Sequence, residues 1–177
     1  MKRVALVVMG VVLSFSVNAQ KIKTDKVDDF SGKRIIETDW MLVYAKLFNS
    51  FYFSFKSVEQ IKCLKIEWVH PEDIRAVNDG ENIVIIKLTN GEVVNFANSS
   101  FQVSSKGGGA HGFGSSAANG LTLTLMSFDI DKLGMFLIEK VRIVTTKGYF
   151  DFEIKEKNAK KIQQAYLLLQ ESLKQSN

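Results

Sequence analysis

The last third of the chain, Glu139 to Leu173, changes its periodicity in a way that restricts the fold more than any other feature. Val141, Ile143 and Thr145 alternate with Arg142, Val144 and Thr146, the period of two that a strand rich in β-branched residues shows. Lys147-Gly148 supplies a turn, because Gly accepts the positive φ that a tight hairpin demands. The alternation then resumes, with Phe150, Phe152 and Ile154 on one face and Tyr149, Asp151 and Glu153 on the other. A sheet with one wet and one buried face produces this pattern. After it the period becomes helical: Ile162, Ala165, Tyr166, Leu169 and Leu173 form a stripe widened by Leu168, and Asn158 is the predicted N-cap. An isolated helix of this length is marginal in water. Its apolar stripe is therefore expected to pack on the sheet's apolar face, each large side chain contributing on the order of 1.5–3 kcal/mol.

The chain has 177 residues, of which 46% are hydrophobic and 24% charged, enough for one domain with a sizeable core. Residues 1–19 read as a signal peptide rather than as structure. Lys2 and Arg3 precede an apolar run from Val4 to Phe15, and Val17-Asn18-Ala19 suits cleavage before Gln20. The apolar run is too short for a spanning helix, so the mature chain is predicted to be periplasmic or secreted and not membrane-spanning. Losing Lys2 and Arg3 takes the net charge from +4 to +2, so much of the apparent basicity belongs to the leader. Without a Lys/Arg cluster interleaved with aromatics, no nucleic-acid partner is expected. Cys63 is the one cysteine, which leaves an exported chain without an internal disulfide.

Taken in order, residues 20–30 are charged and weakly patterned and are read as a flexible lead-in; residues 31–177 are read as a single β-rich domain. Ser31-Gly32 and Asn49-Ser50 suggest turns, with strands over Lys33–Glu37 and Met41–Phe48. Phe51, Phe53 and Phe55 form an aromatic strand face, with Trp40 and Tyr44 predicted to pack beneath it. Ile61 to Val69 is a strand with Leu64, Ile66 and Trp68 towards the core and Cys63 on the wetter side; His70-Pro71 ends it. Glu72 to Val77 suggests a helical turn, Ile83 to Leu88 a central strand, and Asn90-Gly91 a hairpin. Leu121, Leu123 and Leu125 mark another strand, and Asp129 to Leu137 a short helix. The fold class that follows is mainly β (α+β): an antiparallel bent sheet, a sandwich or a barrel, closed by one C-terminal α-helix.

Chemistry is sparse. Lys106-Gly107-Gly108-Gly109-Ala110-His111-Gly112-Phe113-Gly114 lacks the Gly-Lys-Ser/Thr ending of a phosphate loop and no helix follows it, so it reads as a surface loop. Lys106, His111 and Phe113 are its candidate ligand contacts. His70 and His111 fall in no metal-binding spacing and Cys63 in no C-x-x-C, so neither a metal nor another cofactor is expected. No G-x-S-x-G elbow occurs, and the acidic pairs Asp129/Asp131 and Glu72/Asp73 read as solvated helix starts.

The leader ending Val17-Asn18-Ala19-Gln20, the run Asp29-Phe30-Ser31-Gly32-Lys33 followed by Thr38-Asp39-Trp40, and the hairpin Thr145-Thr146-Lys147-Gly148-Tyr149 resemble small exported β-rich proteins of Bacteroides-type bacteria, families without an assigned activity. The order of elements also resembles the pleckstrin-homology-like architecture, a bent β-sandwich plugged by a C-terminal helix. That resemblance implies a binding or adaptor scaffold and carries over no functional residue.

The expected function is thus a non-enzymatic exported module that presents a strand edge or the Gly-rich loop to a protein or a small apolar ligand. Two alternatives stand beside it: a hydrolase-like enzyme using His111 with Cys63 or a serine, and a structural subunit of an envelope assembly.

Overall fold

A computed structural model of the chain describes residues 20–46, 49–71, 76–106 and 118–175. The predicted leader, His111 and Phe113 lie outside the described residues. The elements are β1 (Ile22–Val27), β2 (Arg34–Thr38), β3 (Met41–Lys46), β4 (Asn49–Val58), β5 (Ile61–His70), β6 (Ala76–Val77), β7 (Gly80–Leu88), β8 (Val93–Asn98), β9 (Gln102–Val103), β10 (Ser105–Lys106), β11 (Asn119–Met126), α1 (Lys132–Met135), β12 (Ile138–Thr145), β13 (Gly148–Glu153) and α2 (Glu156–Lys174).

The protein is mainly β, built on one large antiparallel sheet with a long helix at its C-terminal end. The strand path runs β1-β2-β4-β5-β11-β8-β7-β12-β13, and β6 with β9 makes a separate ribbon. β2 and β3 lie one after the other along the same edge of β4: β2 pairs with Lys56–Val58 and β3 with Asn49–Phe53, while β5 covers the opposite edge. The path starts at β1 and stops at β13 without the two meeting, so the sheet stays open and, of the expected forms, the closed barrel is not the one formed.

The sheet nonetheless curls over its own apolar face. Five strands separate β4 from β13 on the path, yet the rings of Phe51 and Phe152 have centroids 4.1 Å apart, and Trp68 on β5 lies 5.2 Å from Phe150. Phe51, Phe53 and Phe55, with Leu64, Ile66 and Trp68, point into this core as their alternation requires, and Leu121, Leu123 and Leu125 join them from β11. Tyr44 packs edge-on against Phe51 and Phe152 as expected, but Trp40 is half-buried elsewhere, with the Lys65 ammonium 4.9 Å from its ring centre. Lys65 alternates with Leu64 and Ile66, so Trp40 belongs to the outer face. α2 covers the open side. Ala159, Ile162, Ala165, Tyr166 and Leu169 are all buried, and the Tyr166 ring stands edge-on to Phe55 at 5.1 Å.

Several local expectations shift. The stretch read as a lead-in contains β1, an edge strand on β2. Four of its six residues are exposed and only Ile22 packs against the core, so no apolar alternation marks it. Asn49 and Ser50 open β4 rather than forming a turn. Ala76–Val77 are strand, and the remainder of that predicted helical turn, residues 72–75, is outside the described residues. The last hairpin pairs Thr145 with Gly148, which moves its two-residue loop to Thr146-Lys147 and leaves Gly148 at φ 107° as the first residue of β13. Asn90-Gly91 does make a hairpin, of a longer kind: Gly91 N–H donates to Leu88 O at 3.0 Å and Leu88 N–H to Glu92 O at 2.9 Å, with Gly91 at φ 87°. That is a turn followed by a left-handed residue. Asn158 is not the N-cap. Lys155 occupies that position without a side-chain cap, and Asn158 Nδ2 donates instead to Val43 O on β3 at 2.8 Å.

Candidate functional site

Where β3 and β13 fail to meet, a groove of about 600 Å³ remains, within the range of ligand sites. β3 forms one wall along its whole length. Glu153, Lys155, Asn158 and Lys161 form the other, and Gln20 and Trp40 stand at one end.

The local sequence explains this shape. Leu42 pairs with Tyr52 and Tyr44 with Phe51, so Val43 is an extra residue, a β-bulge. The bulge lets both Val43 and Tyr44 turn towards the core. Val43 is buried, and the Tyr44 ring meets Phe152 at 5.3 Å. Leu42 is left exposed. At the far end Lys46 pairs with Asn49, and Asn49 Oδ1 accepts a 2.7 Å hydrogen bond from Trp68 Nε1 that fixes this corner to the core. The opposite wall begins where β13 ends: Ile154 N–H donates to Glu139 O at 2.9 Å, and α2 starts two residues later.

The walls are unevenly charged. Lys46, Lys155 and Lys161 line the groove against one carboxylate, Glu153. Glu153 faces Lys140 at 3.7 Å, and Glu156 is held by Lys160 at 2.6 Å. Among the described residues no carboxylate lies within ion-pair distance of Lys46, Lys155 or Lys161. The start of α2 adds a partial positive charge beside them. The site has the character of an anion-accepting slot over an aromatic floor.

Of the residues singled out from the sequence, Lys106 is exposed on β10, paired with Asn119 across the β11 edge and absent from the groove walls. Cys63 does lie on the face opposite Leu64, but that face is buried there. Burial raises its thiol pKa, with nearby Lys56 opposing the shift, so the neutral thiol dominates at neutral pH, the opposite of an activated nucleophile. His70 is buried with its ring centre 4.8 Å from that of Trp68. None of the groove residues carries a motif, so only the Asn158 and Lys161 spacing on a helix hinted at a shared face.

A second polar cluster is structural. Asp131 Oδ1 accepts from Lys62 Nζ at 2.5 Å, from Gln170 Nε2 at 3.0 Å and from the Tyr166 hydroxyl. Lys62 and then Tyr166 hold the Asp131 carboxyl below its ordinary range, and burial followed by Asp131 pushes the Tyr166 phenol well above its own. A neutral phenol donating to a carboxylate neither attacks nor abstracts. The cluster ties β5, the start of α1 and α2 together, so Asp131 is more than the solvated helix start its sequence position suggests.

Among the described residues no three His, Cys, Asp or Glu side chains gather as a metal site, and no helix is long and apolar enough to cross a membrane. Comparison with known proteins found no matching family model, no matching curated protein and no matching solved structure.

Proposed function

We propose that this protein is an exported, non-catalytic binding module whose ligand site is the groove between β3, the end of β13 and the start of α2. The observation that carries the reading is the groove itself: a concavity of ligand size bordered by a strand edge, an aromatic floor and three lysines. A curled sheet with a helix packed into it also supports the pleckstrin-homology-like reading, in which a rigid scaffold carries recognition at its edges, although a scaffold leaves the ligand open. The test is to pan a displayed library of random dodecamer peptides against the purified protein and against Ala45→Trp. Ala45 is exposed on the groove wall, so the larger ring fills the slot without entering the core. Clones that bind the parent and lose the variant support the site. Clones that bind both equally, or no enrichment at all, overturn it.

One further surface favours the assembly-subunit reading. Phe30 and Phe128 are fully exposed, at 101% and 108%. Their loops share one end of the sheet: Arg34 beside the first loop bonds Glu59 in the β4–β5 turn, and Lys62 just after that turn reaches Asp131 beside the second. Sedimentation velocity over rising concentration checks this. Self-association that Phe30→Ser with Phe128→Ser abolishes supports it, and a monomer throughout removes it.

A further inference from the structure

We propose that the groove accepts an extended, acidic peptide segment of a partner polypeptide, added as a strand along β3. This inference rests on the groove being the binding site and specifies what enters it.

The sheet edge supplies the shape. β1 lies beside β2 with Ile22 opposite Thr38, and Asp39 N–H donates to Lys21 O at 2.9 Å. β3 then prolongs β2 along the same edge of β4. The lane flanking this edge is filled by β1 as far as Lys21, and Gln20, the first of the described residues, lines the mouth of the groove. Beside β3 the lane holds no strand among the described residues, since β3 pairs with β4 alone. Met41 to Lys46 spans about 17 Å at ~3.3 Å per residue, room for a segment of about six residues. Unpaired strand N–H and C=O groups are a template for another chain. Asn158 already satisfies Val43 O, and the bulge interrupts the register, so the added ladder is short and charge has to supplement it.

Charge selects the partner. Lys46, Lys155 and Lys161 lie along the lane with no carboxylate in ion-pair range among the described residues, and the start of α2 adds to their field. Side chains of an added strand alternate, so acidic residues at every second position would meet the lysines while the others cover the Tyr44 floor. A basic segment would meet repulsion in the same lane.

The probes are three labelled heptapeptides with blocked ends: alternating Glu and Val beginning with Glu, the same with Lys for Glu, and the Glu/Val sequence with Pro replacing both its central valine and the next residue, so that one of the two must face β3. Fluorescence anisotropy with the purified protein reads binding. The Val/Glu peptide is expected to bind, the Val/Lys peptide at least tenfold more weakly, and the Pro peptide also at least tenfold more weakly because Pro cannot donate to a ladder. Combining Lys46→Gln, Lys155→Gln and Lys161→Gln is expected to weaken Val/Glu binding about tenfold at low salt. All three lysines are surface residues, and an unchanged circular-dichroism melt verifies the fold of that variant. Equal binding of the Glu and Lys peptides overturns the charge argument. Equal binding of the Pro peptide overturns strand addition. Should no heptapeptide bind while displayed peptides still need the open slot, this inference fails and the binding-module reading survives.

Discussion

Ile162 sits mid-stripe on α2 with none of its surface exposed, and Leu167 lies on the same helix at 40% exposure. Ile162→Ala removes three buried carbon groups at about 0.8 kcal/mol each, about 2.4 kcal/mol of transfer free energy. The sheet around it is held by continuous ladders on both sides and collapses little into the vacancy, which raises the cost to about 3–4 kcal/mol. Leu167→Ala leaves no comparable hole and is expected to cost under about 1 kcal/mol. Both variants keep helix propensity, since Ala is the best helix former, so the contrast reads burial alone. Urea unfolding followed by tryptophan fluorescence measures it. With a slope of about 2 kcal/mol/M, the Ile162→Ala midpoint should fall by about 1.5–2 M and the Leu167→Ala midpoint by less than about 0.5 M. Equal shifts for the two variants would mean that α2 does not stopper the core, and the account of the open sheet would go with it.

Asp131 gives a pH signature. Its folded carboxyl pKa lies below the ordinary 3.8, so its contribution is fully present above that value and is lost as pH falls through the lower folded value. Asp131→Asn should therefore be less stable than the parent at neutral pH, with the two melting curves converging at the acid end; a constant gap across pH would refute the assignment. Cys63 should react with a disulfide reagent far more slowly in the native protein than in denaturant, and equal rates would show an accessible thiolate. Asn158→Ala should cost about 1 kcal/mol and speed amide exchange within β3 while leaving the start of α2 unchanged, and loss of helix content would instead restore Asn158 as a cap.

The parts of the fold readable in the sequence are those whose side chains report a face. Phe51, Phe53 and Phe55 alternate because β4 has one core side, and Ile162, Tyr166 and Leu169 recur because α2 has one buried stripe. β1 was not readable for the converse reason: an outermost strand that sends only Ile22 to the core has too little apolar alternation to show. Strand order was also beyond reach, because β11 enters between β5 and β8 through pairings such as Leu123 with Ile66, and such distant contacts leave no local mark. Asn158 shows how a residue with two uses misleads. It suits a helix cap by type, but Val43 O, 115 residues away, is the acceptor that tertiary structure supplies. The groove was hidden in the same way, since Lys46, Lys155 and Lys161 become neighbours only once β13 turns into α2. Lys106 stood out by sitting next to glycines, a feature of composition with no bearing on where a concavity forms.

The open seam follows from where α2 becomes apolar. Its buried stripe starts at Ala159, and before that point the helix carries Lys155, Glu156 and Lys157, all exposed. From Ile162 onward the helix can seal against β2 and β4, because apolar side chains gain by leaving water. Over its first turn it meets β3 through a polar contact instead, Asn158 Nδ2 on Val43 O, since burying Lys155 or Glu156 would cost more than an apolar contact there returns. The Val43 bulge reinforces the gap from the other side by turning Tyr44 inward to Phe51 and Phe152, leaving Ala45 and Lys46 as the rim. A chain with apolar residues at 155 and 158 would let the helix close over β3 and bury the edge. The polar first turn therefore leaves the Ala45-Lys46 end of β3 and the lysines beside it in contact with solvent, and a recognition site built on β3 needs both.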